Sequence, residues 1–251
     1  MDAGYRECAG PVAGVTVWTR GEGAGGYRVL PDGCMDLIWY DGALMVAGPD
    51  TAAYVADDRP GGSYAGLRFA PGTGPALLGA PAHEVRDLRV PLDALWPGGP
   101  ARRLGERAAE GDPAEALTDW VRARSRTTGP ADGLTAAVAA ALADNRPVSA
   151  IAAAAGLGER QLRRRCEAAF GYGPKTLARV LRMQRALELA LAGTAFATVA
   201  VTAGYADQAH LSREVKALAG VPLGALVRGQ AFPALDANSS TALPSGSCST
   251  A

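Results

Sequence analysis

Two copies of one structural unit lie in the C-terminal half of the chain. The first copy occupies residues 148–171 and the second occupies residues 196–220. Gly156 of the first copy corresponds to Gly204 of the second, an offset of 48 positions. The offset grows to 49 further along, so the second copy has one extra residue in its turn, where a repeat tolerates an insertion. The duplication predicts that both copies fold in the same way.

Each copy predicts a short helix, a turn and a longer helix. A glycine ends the short helix, because a residue without Cβ readily adopts the left-handed conformation of a C-cap. After the turn, Leu162 and Cys166 form an apolar stripe at helical spacing, and Leu211 and Val215 form the same stripe in the second copy. Two helices joined by a short turn after a glycine are typical of a helix-turn-helix unit.

The face opposite each stripe is polar and mostly cationic. In the first copy it carries Arg160, Gln161, Arg163, Arg164 and Arg165, and in the second Gln208, His210, Ser212, Arg213 and Lys216. These side-chain types hydrogen-bond base edges and phosphates in a major groove. For one such helix alone, a solvated charged face is an equally good interpretation. Both copies place an arginine two residues after the stripe leucine, which favours double-stranded DNA as the partner.

The distribution of charge supports this interpretation although the net charge is zero. Residues 146–228 contain 12 Lys and Arg against 5 Asp and Glu, whereas the rest of the chain contains 13 against 20. A basic C-terminal part on an acidic remainder is expected when only one part meets phosphates.

Residues 133–228 resemble the C-terminal DNA-binding domain of the AraC/XylS transcription regulators, in which a long helix joins two helix-turn-helix units. The stretch GYGPKTLARVLRMQRALELALAG is similar to that linker helix, and GYADQAHLSREVKALAGVPLGALVR is similar to the signature of the second unit. Val215 and Cys166 stand where the family usually has a bulkier residue, and Ala209 replaces a common polar residue. The second recognition helix is therefore expected to read fewer bases.

The resemblance also implies a role for most of the polar positions. The implied base contacts are Arg160, Arg163 and Arg164 in the first unit and Gln208, His210 and Arg213 in the second. The implied phosphate contacts are Arg165, Ser212 and Lys216. A continuous linker helix would hold the two recognition helices at a fixed separation, and successive major grooves on one side of a duplex lie about 34 Å apart. One protomer is therefore expected to cover an asymmetric site.

The N-terminal part has the character of short strands separated by turns. Apolar and aromatic segments occur at 27–30, 34–40, 43–48 and 63–69, and the pair Asp41-Gly42 is a strong signal for a two-residue hairpin. The pattern predicts a small antiparallel β-sandwich or barrel. The stretches LPDGCMDLIWYDG, VAGPD and GLRFAPG resemble a cupin-like domain that precedes AraC-type DNA-binding domains in a poorly characterised subgroup.

The expected fold class is therefore α+β, with the strands first and the helices last. The expected divisions are a β sensor domain (1–97), a helical connector (98–128), the DNA-binding domain (129–230) and a disordered tail (231–251), whose Ser, Thr, Pro and Gly content is typical of disorder.

The connector predicts helices with one apolar face. Pro113 follows Asp112, a good N-cap, and Leu117, Trp120 and Val121 share a face. Two interpretations of this face stay open. The helices pair two protomers into a homodimer, or they pack on the chain's own β domain.

Polar and amphipathic residues near the predicted strands are candidates for a small-molecule pocket, since such pockets need a few polar groups among apolar walls. They are Asp32, Asp36, Trp39, Arg68 and His83. Structural roles are the alternative for each of them. Asp36 interrupts an apolar run, and a carboxylate that faces a core needs a partner. We expect Arg68 to be that partner, in a buried pair across adjacent strands.

Catalytic chemistry is not indicated. Metal-dependent cupins use two or three histidines, and this half contains only His83, so neither a metal nor a cofactor is expected. No nucleophile elbow, zinc-protease helix or phosphate-binding loop occurs in the sequence. A regulator without enzymatic activity is expected. A cupin-like binding protein or enzyme that does not bind DNA is the alternative, and a redox responder using Cys34 is a third interpretation.

The sequence also predicts where the protein works. No apolar run approaches the roughly 18 residues that span a bilayer, and the N-terminus lacks the pattern of a secretory signal. No membrane partner and a cytoplasmic location are expected.

Overall fold

The structure, a computed structural model, describes residues 4–21, 27–56, 62–129 and 132–229. It has the expected α+β class, with an antiparallel β region first and a helical region last. The predicted tail after residue 230 lies outside the described residues. The last helix of the predicted connector continues through Thr128.

Within the residues that the structure describes, the N-terminal part has eight strands. They are β1 (Arg6–Ala9), β2 (Val15–Arg20), β3 (Tyr27–Val29), β4 (Met35–Tyr40), β5 (Ala43–Ala47), β6 (Tyr54–Ala56), β7 (Tyr64–Phe69) and β8 (Arg89–Pro91). Six of them form one antiparallel sheet in the order β1-β2-β7-β4-β5-β8, and β3 pairs with β6 in a second sheet. The two sheets face each other across a cavity, which is the sandwich arrangement.

The predicted hairpin between β4 and β5 is confirmed. Asp41 and Gly42 both have positive φ, at 47° and 79°, and the neighbouring residues Tyr40 and Ala43 are paired. Both central residues of this turn need left-handed backbone, which aspartate tolerates and glycine adopts freely. The turn fixes the register, and the register decides which side chains of β4 face the cavity.

Helices cover the other face of the six-stranded sheet. They are α1 (Gly74–Leu78), a 3-10 helix (Ala82–Glu84), α2 (Leu92–Leu95), α3 (Pro100–Glu110) and α4 (Pro113–Thr128). Leu117 and Val121 of α4 are fully buried in one apolar core with Leu37 and Leu67 of the sheet. The apolar face of the connector is thus covered by the chain's own β domain, as in the second of the two interpretations above.

The C-terminal part contains seven helices within the described residues. They are α5 (Gly133–Ala143), α6 (Val148–Ala154), α7 (Glu159–Phe170), α8 (Pro174–Leu191), α9 (Phe196–Ala203), α10 (Gln208–Ala219) and α11 (Leu223–Val227). The predicted stripes are confirmed, because Leu162, Cys166, Leu211 and Val215 are all buried in one core around α8. Helices α6 and α7 form the first helix-turn-helix unit, and α9 and α10 form the second.

The two parts of the chain are in contact at the C-terminal ends of the longer helices of both units. Behind α7, Arg86 donates to the carbonyl of Gly171 at 3.2 Å. Behind α10, the backbone N–H of Ala53 donates to the Leu218 carbonyl at 2.7 Å. These bonds satisfy carbonyls that a helix end leaves without intrahelical partners. The β domain therefore contacts the longer helices of both units at their C-terminal ends.

No helix among the described residues is both long enough and apolar enough to cross a bilayer.

Candidate nucleic-acid interface and ligand cavity

Helix α7 presents a cationic face opposite its buried stripe. Successive residues of an α-helix are rotated by about 100°, so Arg164 lies about 200° from the stripe residue Leu162. Arg160 and Gln161 are on the same outward side, and all three side chains are exposed. Arg163 lies at the flank, where its guanidinium pairs with Glu167 at 2.8 Å. The outward face is thus carried by Arg160, Gln161 and Arg164.

Helix α10 repeats this arrangement. Arg213 lies two residues after the stripe residue Leu211 and is exposed at the same rotation as its counterpart in α7. The helix begins at a well-formed N-cap, where Asp207 accepts the backbone N–H of His210 at 2.6 Å. The His210 ring is only partly exposed and packs edge-on against Tyr205 at 5.3 Å. Arg213 therefore faces outward from the centre of the helix, whereas the His210 ring near the beginning of the helix is partly covered by Tyr205.

The remaining predicted polar residues of both helices are also on the surface. Gln208, Ser212 and Lys216 of α10 and Arg165 of α7 are exposed. The structure therefore brings the predicted residues together as two outward faces, one on each longer helix. Exposure alone does not show which of these residues contributes most to binding, because nearly all of them are exposed.

An ion-pair network fixes α10 on the linker helix α8. Glu214 accepts a hydrogen bond from Arg179 at 2.8 Å and another from Arg182 at 3.4 Å, and its side chain is 10% exposed. Arg182 also stacks over the ring of Tyr205, with 4.9 Å between its guanidinium carbon and the ring centroid. Burial raises the pKa of Tyr205 to about 12, with Glu214 adding to the effect. Arg182 thus links α8 to α10.

A cavity of about 470 Å³ lies between the two sheets of the β domain. Because side chains alternate across a strand, every second residue of each strand faces it. Register arranges the facing residues in three rows across β7, β4 and their neighbours. The charged row contains Arg68, Asp36, Ala47 and Arg89. The apolar row contains Trp18, Gly66, Ile38 and Met45. The aromatic row contains Arg20, Tyr64, Tyr40 and Ala43.

The centre of the charged row is the predicted ion pair. Arg68 Nε lies 3.4 Å from Asp36 and 3.9 Å from Asp32, and all three side chains are less than 20% exposed. The Trp18 indole N–H donates to Asp36 at 2.8 Å. Burial raises the pKa of Asp36, and the charge of Arg68 opposes that shift. Two carboxylates therefore share one guanidinium at this end of the cavity.

A second ion pair closes the same end. Arg89 donates to both oxygens of Asp50, at 2.6 and 2.7 Å. Its guanidinium also lies over the ring of Tyr54, 4.1 Å from the centroid. Burial raises the pKa of the Asp50 carboxyl, and its bond to Arg89 opposes that shift. Such a two-bond contact between guanidinium and carboxylate is strong and specific in geometry.

Three of the five predicted pocket residues line the cavity and two do not. Asp32, Asp36 and Arg68 are in its wall. Trp39 was a wrong prediction, because it follows Asp36 by an odd number of residues and so lies on the core face of β4. His83 was also wrong, because it is exposed in the 3-10 helix.

Sequence reasoning missed several wall residues. They include Tyr5, Trp18, Tyr40, Asp50, Tyr64 and Arg89. The alternation of Asp36, Ile38 and Tyr40 along β4 was the signal that could have found Tyr40. Asp50 and Arg89 come together only through the pairing of β5 with β8, which no local pattern specifies.

Cys34 also lines the cavity, but its environment favours the protonated thiol over the thiolate. Burial raises the pKa of the Cys34 thiol well above its ordinary value, and the charge of Asp32 adds to the effect. A thiolate is the reactive form of cysteine, and this environment disfavours it. The structure therefore gives the redox interpretation no support. Among the described residues no three His, Cys, Asp or Glu side chains are grouped so that they could hold a metal ion.

The fold and the two outward faces define a class. Two helix-turn-helix units on one linker helix, each with an exposed cationic longer helix, form a double helix-turn-helix DNA-binding domain.

The comparisons with protein families agree. A family described as "Helix-turn-helix domain" matches residues 151–229. A family described as "Domain of unknown function (DUF6597)" matches residues 15–91. Residues 151–229 are thus similar to a helix-turn-helix domain of the AraC type, which supports a DNA-binding transcription regulator as the class of protein.

Solved structures of ToxT from Vibrio cholerae are similar in arrangement. The ToxT structure from strain O395 is 9% identical, with a TM-score of 0.46 over 86% of this chain and 98% of that chain. An apo variant from strain SCE256 is 12% identical, with a TM-score of 0.49 over 88% and 99%. Wild-type ToxT from that strain with bound unsaturated fatty acid is 8% identical, with a TM-score of 0.42 over 88% and 97%. Scores below 0.5 do not establish a common fold. The search of curated proteins found no match.

Proposed function

We propose that the chain is a transcription regulator of the AraC type that reads a specific DNA sequence with α7 and α10 of one protomer together, and that a small molecule in the β-domain cavity controls it. The observation that carries the first part is the repetition of an exposed arginine directly opposite the buried stripe in both helices. Arginine pairs with guanine in the major groove through two hydrogen bonds.

The linker helix supports simultaneous binding by both units. Helix α8 has 18 residues and is therefore about 27 Å long. Leu177, Val180 and Met183 are fully buried along it, so the helix is packed against both units and does not act as a free tether. A rigid linker fixes the distance and the angle between the two recognition helices. A fixed distance suits binding to successive major grooves of one duplex.

The individual roles follow the family resemblance, and Gln161 is added to the proposed backbone contacts. Arg160, Arg163 and Arg164 of α7 and Gln208, His210 and Arg213 of α10 are proposed base contacts. Gln161, Arg165, Ser212 and Lys216 are proposed to contact the backbone, where they position the helices without reading sequence. Within the first group Arg164 and Arg213 are the strongest candidates, because they lie farthest from the core.

Control by a small molecule is supported by the segments that the cavity shares with the DNA-binding helices. Leu30 lines the cavity and packs against the helical core. Next to it, Arg28 donates to the Ala219 carbonyl at the end of α10 at 3.0 Å. Gln184 of α8 donates to the Pro31 carbonyl at 2.6 Å. The segment from Arg28 to Pro31 therefore both lines the cavity and contacts the end of α10 and the linker helix α8.

A ligand that moved this segment would change how α10 is held while α7 keeps its separate contact through Gly171. A ligand shifts such an equilibrium only by its differential affinity for the two arrangements. The segment from Arg28 to Pro31 is where that difference would arise, because it contacts both the cavity and the helices.

Fluorescence anisotropy with DNA from the chain's own upstream region tests the DNA part of the proposal. We expect Arg164→Ala to weaken specific binding by about 1–3 kcal/mol and to relax preference at one position. Lys216→Ala should weaken binding to all sequences alike and reduce the salt dependence by about one phosphate contact. Arg126→Ala is the matched control, because Arg126 is an exposed helical arginine of α4, away from both faces.

The outcomes separate the assignments. A steep loss of affinity with rising salt, together with an unchanged Arg126→Ala variant, supports the proposal. Equal losses in Arg164→Ala and Lys216→Ala on specific and nonspecific DNA would show that the two roles are wrongly assigned. Affinity that is independent of salt would contradict DNA binding through these faces.

A further inference from the structure

The three rows of the cavity wall differ in chemistry along one direction. The charged and aromatic rows are four residues apart on β7, at Arg68 and Tyr64, which corresponds to about 13 Å. Between them the Trp18 indole lies flat over Gly66, where a Cβ would be only 2.3 Å from the indole. The wall thus has a polar end, an apolar middle and an aromatic end.

Among the described residues, the polar end has more carboxylates than guanidinium groups. Asp32, Asp36 and Asp50 are there, against Arg68 and Arg89. Arg89 is matched by Asp50 in a two-bond contact, and Arg68 faces both of the other two carboxylates. When these five groups are ionised, they carry one excess negative charge inside a partly enclosed space, where charge interactions are strong.

The aromatic rings of the wall favour the same kind of ligand. Tyr40 and Tyr64 are stacked with their centroids 4.3 Å apart, and Trp18 adds a third ring. Ring faces attract cations and pack on flat apolar groups. Within this cavity Arg89 already rests on a tyrosine ring, at Tyr54.

An anionic ligand fits the polar end poorly. It would have to approach Arg68 past Asp32 and Asp36, or displace Asp50 from Arg89. The first route places like charges side by side, and the second leaves a buried carboxylate without its partner, which is costly.

We infer that the cavity binds an organic cation, with a protonated amine or amidine against Asp36 and Asp32 and a flat apolar or aromatic body along Trp18 and the two stacked tyrosines. This assignment deepens the proposed small-molecule control and rests on it for its biological meaning. A volume of about 470 Å³ is within the range of pockets for drug-sized molecules.

Isothermal titration calorimetry on the full chain tests the ligand class with three matched probes. Tryptamine carries the cation, indole-3-propionate carries an anion and tryptophol is neutral, and all three share one ring. Tryptamine should bind at least about tenfold more tightly than either of the others, because a charge-assisted hydrogen bond is worth that much.

Asp36→Asn tests the position of the cation. The amide oxygen can still accept the Trp18 indole N–H, while the change removes the negative charge and replaces the second acceptor oxygen with an NH2 donor. Tryptamine affinity should fall about 10- to 100-fold while tryptophol affinity changes little. Asp93→Asn, the same change at an exposed position of α2, should leave both affinities as they are. Circular dichroism verifies that both variants are folded, and if Asp36→Asn is not, the three-probe comparison on the wild-type chain decides alone.

Preference for indole-3-propionate, absence of heat with all three probes, or tryptamine affinity that Asp36→Asn leaves unchanged would overturn the assignment. DNA affinity measured with and without tryptamine separates the two proposals. If tryptamine binds in the cavity and DNA affinity stays the same, the ligand class is supported and the proposed control fails. If the chain does not bind DNA at all, the regulator proposal fails while the calorimetric result still supports the ligand class.

Discussion

The contact between the β domain and the end of α7 gives a prediction that can be worked out from two glycines. Gly171 and Gly193 both follow helices of the DNA-binding domain, and both have left-handed backbone, with φ of 82° and 84°. A Cβ at Gly193 would meet nothing within 4 Å, whereas one at Gly171 would lie 2.4 Å from Pro49 of the β domain. The two alanine variants therefore share the backbone strain and differ in the interdomain clash.

The expected magnitudes follow from these two components. Left-handed backbone costs an alanine about 1–2 kcal/mol, and overpacking adds about 1–3 kcal/mol. Gly193→Ala should lower the Tm by about 2–8 °C in differential scanning fluorimetry, and Gly171→Ala by about 4–20 °C, since each kcal/mol shifts a chain of this size by about 2–4 °C.

Movement of the two domains apart could relieve the clash in Gly171→Ala. That movement would appear as a larger radius of gyration in small-angle X-ray scattering. It would also be evidence that Gly171 packs against Pro49 in the wild-type chain. Equal falls in Tm together with an unchanged radius of gyration in both variants would refute the interdomain packing described here.

Two further predictions concern charges. Glu214→Gln removes the charge that pairs with Arg179 and Arg182. The free energy of unfolding should therefore fall by about 1–3 kcal/mol, and the affinity for DNA should fall with it. An unchanged free energy of unfolding in chemical denaturation would contradict the role of the network in holding α10. The second concerns pH. Because the pKa of Asp36 is raised above its ordinary 3.8, the carboxyl becomes neutral on acidification earlier than an exposed aspartate does. Tryptamine affinity should therefore decrease as the pH is lowered towards and through that pKa, while Arg68 stays charged. Calorimetry across the acidic range measures this, and a flat profile would rule out Asp36 as the anionic partner.

The double helix-turn-helix domain was predictable because its determinants are local. Leucines at helical spacing specify the buried face, and Gly156 and Gly204 end the short helices within a few residues of the turns. The repeat then doubles each signal. Residue order along the helix also gives the outward positions of Arg164 and Arg213 without any knowledge of long-range packing.

The cavity was predictable only in part because its wall is assembled from strands distant in sequence. Asp36 could be singled out, since a carboxylate within an apolar run needs a partner, and the pairing with Arg68 is present. Trp39 does not face the cavity, because side chains alternate along β4 and Trp39 is an odd number of residues from Asp36. Arg89 could not be found, since the register of β8 on β5 depends on tertiary packing.

Each hydrogen bond described between the two domains uses at least one backbone atom, and a backbone atom gives no sequence signal. Pro31 and Ala53 use backbone atoms, and backbone atoms are the same in every residue. Such contacts depend on how the surfaces of the two folded domains pack against each other. They could be described only once both surfaces were known.

Hydroxyl-radical footprinting tests the central claim most directly, which is that both recognition helices of one protomer read the same duplex. The account predicts two protected windows on one face of the DNA, about one helical turn or 10–10.5 base pairs apart. Arg164→Ala should weaken one window and Arg213→Ala the other. A single window that both variants weaken equally, or no protection at all, would contradict the account.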